Sequence, residues 1–121
     1  MILLIQASHA EHNHAALLVR AGFAVKIGSI GSIDNEILIT PPAVIAIELE
    51  PSRCAETFKA AKALRMDPRL RNTPIIVYAT WLSADHIEMA AQSGLLWLQI
   101  TPVDKLVAAI RGLLSAAESA G

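Results

Sequence analysis

Five apolar runs of strand length recur along this chain, and they constrain its fold more than any other feature. The first four are nearly continuous in Ile, Leu, Val and Ala, whereas a strand with one face in water would alternate with polar residues. Such runs are typical of parallel strands that are covered on both faces. The five runs are Ile2 to Ile5, Phe23 to Ile27, Val44 to Ile47, Ile75 to Tyr78 and Leu95 to Ile100.

The segments between and after these runs carry apolar residues at helical spacing. The clearest helix follows the last run, where we expect Thr101 as N-cap and Pro102 in the first turn. The first helix follows a capping box at Ser8 and Glu11, carries His14 on its apolar stripe and ends before Gly22. The other helices are predicted at about Ser32 to Ile39, after Pro51 with Cys54, Phe58 and Ala61, and after Ser83 with Ile87, Ala90 and Ala91.

Strand and helix therefore alternate five times, with short connections and right-handed crossovers. This pattern predicts an α/β protein of the flavodoxin-like, doubly wound class, with a parallel sheet in the order 2-1-3-4-5 and helices on both faces. A chain of 121 residues suffices for one hydrophobic core. We expect residues 1–118 to form a single domain and residues 119–121 to form a frayed tail.

Charge and cysteine content narrow the range of partners. Ten Lys and Arg against eleven Asp and Glu give a net charge of -1, which does not favour binding to nucleic acid or to an anionic membrane. The apolar run at the start is too short to cross a bilayer and lacks the flanks of a signal peptide. The one cysteine, Cys54, has no internal disulfide partner, which fits a reducing compartment. We therefore expect a cytoplasmic protein.

Several short motifs occur in a characteristic order. They are Ile2-Leu3-Leu4-Ile5, Ala21-Gly22-Phe23, Pro42 to Glu48, Asp67-Pro68-Arg69 followed by Thr73-Pro74, and Ser93-Gly94 followed by Thr101-Pro102. As an ordered set, this chain resembles the receiver domains of two-component response regulators, and the likeness covers nearly its whole length. The resemblance implies the flavodoxin-like fold and a role in signal transduction.

The resemblance also implies a pocket that this chain has lost. The family holds Mg²⁺ with an acidic pair, attacks phosphorus with an aspartate, and binds the phosphoryl oxygens with a hydroxyl residue and a lysine. The corresponding residues here are Gln6 and Ala7, Glu48, Ala79, and Thr101. Thr80 supplies a hydroxyl only if the register shifts by one residue. We therefore expect no cofactor, no resident metal, no phosphoryl-acceptor chemistry and no enzymatic activity.

Glu48 has two interpretations. It is either a solvated residue at a strand end or a fixed charge that imitates the phosphorylated state. Two rival functions remain: a phosphorylatable receiver with a rearranged pocket, and a small-ligand or metal sensor at the carboxyl edge of the sheet. The sensor is supported by Glu48 and by His9 and His12, although no further cluster completes a metal site, and His14 is expected to pack.

An apolar group near the last strand indicates an interface. Its residues are Trp81, Leu82, Leu95, Leu96 and Trp97. Large apolar side chains gathered beside a sheet edge mark binding surfaces, and tryptophan is frequent at their energetic centres. We therefore expect an atypical receiver, or pseudo-receiver, that binds a protein partner or a second copy of itself. The expected face comprises the fourth predicted helix, the fifth strand and the fifth predicted helix, and the expected assembly is a homodimer.

Overall fold

The computed structural model describes residues 2–5, 14–28, 42–49, 54–70, 72–79, 84–85, 88 and 99–120. The strands are β1 (Ile2–Ile5), β2 (Val25–Gly28), β3 (Val44–Glu48), β4 (Ile75–Ala79) and β5 (Gln99–Pro102). The helices are α1 (His14–Arg20), α2 (Cys54–Met66) and α3 (Leu106–Ala120), which match the first, third and fifth predicted helices. Short 3-10 turns cover Pro68–Leu70 and Val103–Lys105. No helix in the described ranges is long and apolar enough to span a membrane.

All neighbouring strands in the sheet are parallel, and their order is β2-β1-β3-β4-β5. This is the order expected from the sequence. In the register, Ile2 lies opposite both Val25 and Val44, and Ile76 lies opposite Gln99. Because the strands are parallel, their carboxyl ends meet at one edge, which is where ligands bind in doubly wound folds. Glu48 ends β3 at this edge, and Ala79 ends β4.

Alternate residues of the buried strands form two apolar layers. One layer joins Leu3, Ile45 and Val77 to Phe58 and Leu64 of α2. The other layer lies on the opposite face, where side chains of β1, β3 and β4 pack against α1 and α3. Its members are Ile2, Leu4, Val44, Ala46, Ile76 and Tyr78 with Ala15, Leu18, Leu106 and Ile110. Helices therefore cover both faces, as the continuous apolar runs predicted.

The end of α1 is a Schellman motif. The Gly22 amide donates to the Val19 carbonyl at 3.0 Å, and the Phe23 amide donates to the Leu18 carbonyl at 3.1 Å. Gly22 has a φ of 98°, which a residue with a side chain rarely adopts. The predicted helix end at Gly22 is confirmed. Phe23 belongs to this cap and packs against the core, so β2 begins at Val25 and not at Phe23.

The junction between β5 and α3 differs from the prediction. Thr101 and Pro102 lie opposite Tyr78 and Ala79 in the sheet, so they extend β5 and do not begin the helix. Pairing with β4 outcompetes capping here, and Pro102 is tolerated because β5 lies at the sheet edge. The helix starts at Leu106, after the 3-10 turn. Residues 95–98 of the predicted strand and the second predicted helix lie outside the described residues, as does the fourth predicted helix apart from Ala84, Asp85 and Glu88.

Arg111 and Arg69 make polar contacts outside the sheet. Arg111 of α3 donates from Nη2 to the Ala21 carbonyl at 3.1 Å, and its guanidinium lies 5.9 Å from the centre of the Phe23 ring. Arg69 folds onto Asp67 before β4, with Nη2 to Oδ2 at 2.6 Å. The side-chain and backbone hydrogen bonds from Arg69 lower the pKa of Asp67 to about 2. The turn that leads into β4 is therefore stabilised by an ion pair between two of its own residues.

Candidate functional site

The strand ends bring three of the predicted pocket positions to one edge. Glu48 lies opposite Tyr78 in the pairing of β3 with β4, and Tyr78 lies opposite Thr101 in the pairing of β4 with β5. Ala79 follows as the last residue of β4 and is 2% exposed. The backbone thus places Glu48, Ala79 and Thr101 on adjacent strands. Gln6, Ala7 and Thr80 lie outside the described residues.

Strand alternation separates Glu48 from Ala79. Ala79 belongs to the apolar layer beneath α2. Glu48 follows Val44 and Ala46 at a spacing of two residues, and both of these belong to the layer beneath α1 and α3. The carboxylate contacts His14 of α1, which agrees with that placement. The two side chains therefore emerge on opposite faces of the sheet.

His14, Tyr78 and Glu48 form a polar cluster under α1, which we call the α1 cluster. His14 Nδ1 and the Tyr78 hydroxyl form a hydrogen bond at 3.1 Å, and the rings meet edge to face with centroids 5.2 Å apart. Glu48 Oε1 lies 3.7 Å from the same Nδ1. His14 is 6% exposed, Tyr78 is fully buried, and the Glu48 side chain is 11% exposed.

The chemistry of the α1 cluster follows from these distances. At 3.7 Å the contact between Glu48 and His14 is electrostatic, since it is too long for a direct hydrogen bond. Burial raises the pKa of Tyr78, and the charge of Glu48 raises it further, so the phenol stays neutral and keeps its proton. The tautomer of His14 decides which partner donates in its bond with Tyr78.

The expected packing of His14 is confirmed, and the interpretation of Glu48 as a solvated strand end is wrong. Nearly nine-tenths of its side chain is shielded, and an imidazole lies within ion-pair distance. His14 and Tyr78 are 64 residues apart, so no local pattern revealed the contact. A signal was nevertheless present, because Tyr78 interrupts an otherwise apolar strand and His14 interrupts an apolar stripe. Buried polar groups of this kind require partners.

The predicted metal site and the predicted interface lie largely outside the described residues. Within the described ranges no three His, Cys, Asp or Glu residues are close enough to share a metal ion. His9, Glu11 and His12 lie outside the described residues. The whole apolar group proposed as an interface, Trp81, Leu82, Leu95, Leu96 and Trp97, also lies outside them.

Comparison with known proteins adds the identity of the fold. No protein-family model matches the chain, and no curated protein matches it. Among solved structures, it resembles a signal receiver domain of two-component signal transduction (histidine kinase) from Clostridium thermocellum, with a TM-score of 0.67 and 17% identity over 93% of this chain and 95% of that one. It also resembles a response regulator in red light signalling of R. palustris, with a TM-score of 0.56 and 21% identity over 93% and 91% of the two chains. The chain has the fold of a receiver domain.

Proposed function

We propose that this chain is an atypical receiver domain of two-component signalling, which acts in the cytoplasm as a protein-interaction module and accepts no phosphoryl group. The observation that carries the proposal is the position of Glu48. Its carboxylate contacts His14 on the α1 side of the sheet, while Ala79 faces the α2 side. The acidic residue at the acceptor position thus does not share a face with the position of the responding hydroxyl.

The chemistry of phosphoryl transfer supports this proposal. Transfer depends on an in-line nucleophile and on cations that neutralise the phosphoryl oxygens. Gln6 and Ala7 offer no carboxylate pair to hold Mg²⁺, which prefers oxygen ligands. Ala79 offers no hydroxyl, and Glu48 is one methylene longer than the aspartate of the family. An error of about 1 Å in the position of a reacting group is enough to slow a reaction strongly. No catalytic role is assigned to any residue.

Phosphodonor labelling tests the proposal. The wild-type chain is incubated with Mg²⁺ and acetyl phosphate, and its intact mass is measured. We expect no added phosphoryl group, because neither the metal site nor the nucleophile is in place. Glu48→Ala and Asp67→Asn serve as a matched pair, since each removes one carboxylate at a different place. A single phosphoryl group that is lost in Glu48→Ala and kept in Asp67→Asn would establish the rival function, a phosphorylatable receiver with a rearranged pocket.

The partner in this proposal is a protein, which includes a second copy of the chain. Support comes from the sequence, where Trp81, Leu82 and the Leu95, Leu96 and Trp97 run stand beside the last strand. In the family such positions near the fifth strand are commonly polar, so their apolar character favours a buried contact. The proposed signal is a change of partner or of oligomeric state.

A further inference from the structure

The described part of α1 is held to the sheet by few side chains. Its seven residues bury His14, Ala15 and Leu18, whereas Leu17 is 40% exposed and Val19 is 57% exposed. Ala15 is small, so Leu18 supplies most of the apolar anchorage of these turns. Helical turns are marginal in isolation and depend on tertiary contacts. The polar contact of His14 therefore forms a substantial part of what docks the described turns of α1.

That polar contact joins three elements near the carboxyl edge of the sheet. His14 begins the described part of α1, Glu48 ends β3, and Tyr78 lies in β4. The surrounding layer is aliphatic, and a polar group in such a layer is favourable only while its partners are in place. A change at Glu48 therefore acts directly on the first residue of the described helix.

We propose that the α1 cluster is a latch, in which the negative charge of Glu48 holds α1 against the sheet through His14, and neutralisation of that charge loosens α1 locally. The responding element is α1 and not the face that carries Trp97. The inference goes beyond the proposed function, since it requires neither a phosphoryl group nor a dimer.

Amide hydrogen exchange measured by NMR tests the latch. Glu48→Gln removes the charge and keeps the shape of the side chain. We expect the amides of residues 18–21 to exchange roughly tenfold faster in this variant, as for the loss of one charge-assisted contact. The amides of Leu70 and Thr73 lie in the turn before β4, so their local exchange should stay unchanged.

A matched control separates the latch from general destabilisation. Ile75→Val removes one methylene from the α2 face and lowers global stability without touching the α1 cluster. It should leave the local exchange of α1 unchanged. The second control is His14→Gln, in which Glu48→Gln should add nothing further, because the charge acts through His14. If His14→Gln fails to fold, His14→Asn takes its place, and Glu48→Gln should again add nothing further.

Three results would overturn the latch. The first is unchanged exchange of α1 in Glu48→Gln. The second is equal acceleration of α1 in Ile75→Val. The third is a full effect of Glu48→Gln when His14 is already replaced. Each of these readings is independent of phosphodonor labelling, so failure of the latch and failure of the proposed function are distinguishable.

Discussion

The pKa of Tyr78 is a sensitive probe of burial in the protein interior. It is the only tyrosine in the chain, it is fully buried, and its hydroxyl bonds to His14. Burial raises the pKa of its phenol above the ordinary value of 10.0, and the nearby charge of Glu48 acts in the same direction. The folded chain therefore keeps the phenol neutral under conditions in which the unfolded chain ionises it.

This difference makes stability depend on alkaline pH. Because the folded pKa is the higher one, the contribution of Tyr78 is fully present below pH 10 and is lost as the pH rises beyond it. The loss approaches about 1.4 kcal/mol per pH unit for one proton. Tyr78→Phe lacks this titrating phenol. Urea melts should therefore show that the unfolding free energy falls less steeply above pH 10 in the variant than in the wild type.

Below about pH 9 the phenol is neutral in both the folded and the unfolded wild type, and the wild type should be the more stable of the two proteins. Tyr78→Phe leaves His14 Nδ1 without its hydroxyl partner, which should cost about 1 to 2 kcal/mol of unfolding free energy. Ultraviolet absorbance of the phenolate provides an independent check on the wild type, since one tyrosine accounts for the whole signal. Appearance of phenolate near pH 10 in the fully folded protein would contradict the burial argument.

Among the helices, Gly22 and Gly112 allow a matched comparison of the effect of alanine substitution on stability. A Cβ added to Gly22 or to Gly112 would meet nothing within 4 Å, so steric space is the same at both positions. The backbone differs, because Gly22 has a φ of 98° in the cap of α1, whereas Gly112 lies inside α3. Substitution by alanine should therefore have opposite signs at the two positions.

Gly22→Ala should destabilise the protein by about 1 kcal/mol, since alanine strains the left-handed conformation that closes α1. Gly112→Ala should stabilise it by about 0.5 to 1 kcal/mol, since alanine loses less backbone freedom than glycine in a helix interior. Chemical denaturation of both variants measures the two changes. A stabilising effect at Gly22 would mean that the helix ends differently in solution.

Elements with a strong local pattern were predictable from sequence, and elements decided by distant partners were not. The unbroken apolar runs of β1, β3 and β4 predicted buried parallel strands, and Gly22 predicted the end of α1. The boundary at Thr101-Pro102 failed because capping chemistry and pairing with β4 compete for the same residues. The α1 cluster was missed for a related reason, since Glu48 meets His14 only after the strands and α1 assemble.

For the whole molecule, the fold fixes where the strand ends lie, but the side chains at those ends determine the function. A receiver-like sheet delivers the ends of β3, β4 and β5 to one edge whatever side chains stand there. In this chain that edge carries Glu48 beside an imidazole, and Ala79 at the end of β4. The proposed role as an interaction module requires a partner protein or a second copy of the chain, so its assembly in solution tests that role.

We predict that the chain forms a two-fold homodimer through the face that carries Leu96 and Trp97. Closed two-fold dimers are the commonest assemblies of soluble domains. Burial of one large apolar side chain contributes roughly 1.5 to 3 kcal/mol, and symmetry repeats each contact, so loss of one tryptophan weakens the dimer by about twice that amount. Trp97→Ala combined with Leu96→Asp should therefore shift light scattering from dimer to monomer and leave the helical circular dichroism intact.

Met66→Asp is the control for this experiment, because it places the same charge on a side chain that is 75% exposed at the end of α2. It should leave the dimer unchanged. A wild-type chain that stays monomeric at high concentration removes self-association and leaves a different protein as the partner of the apolar face. Unfolding of the double variant would instead place Leu96 and Trp97 in the core, and the interface would then have to be sought elsewhere.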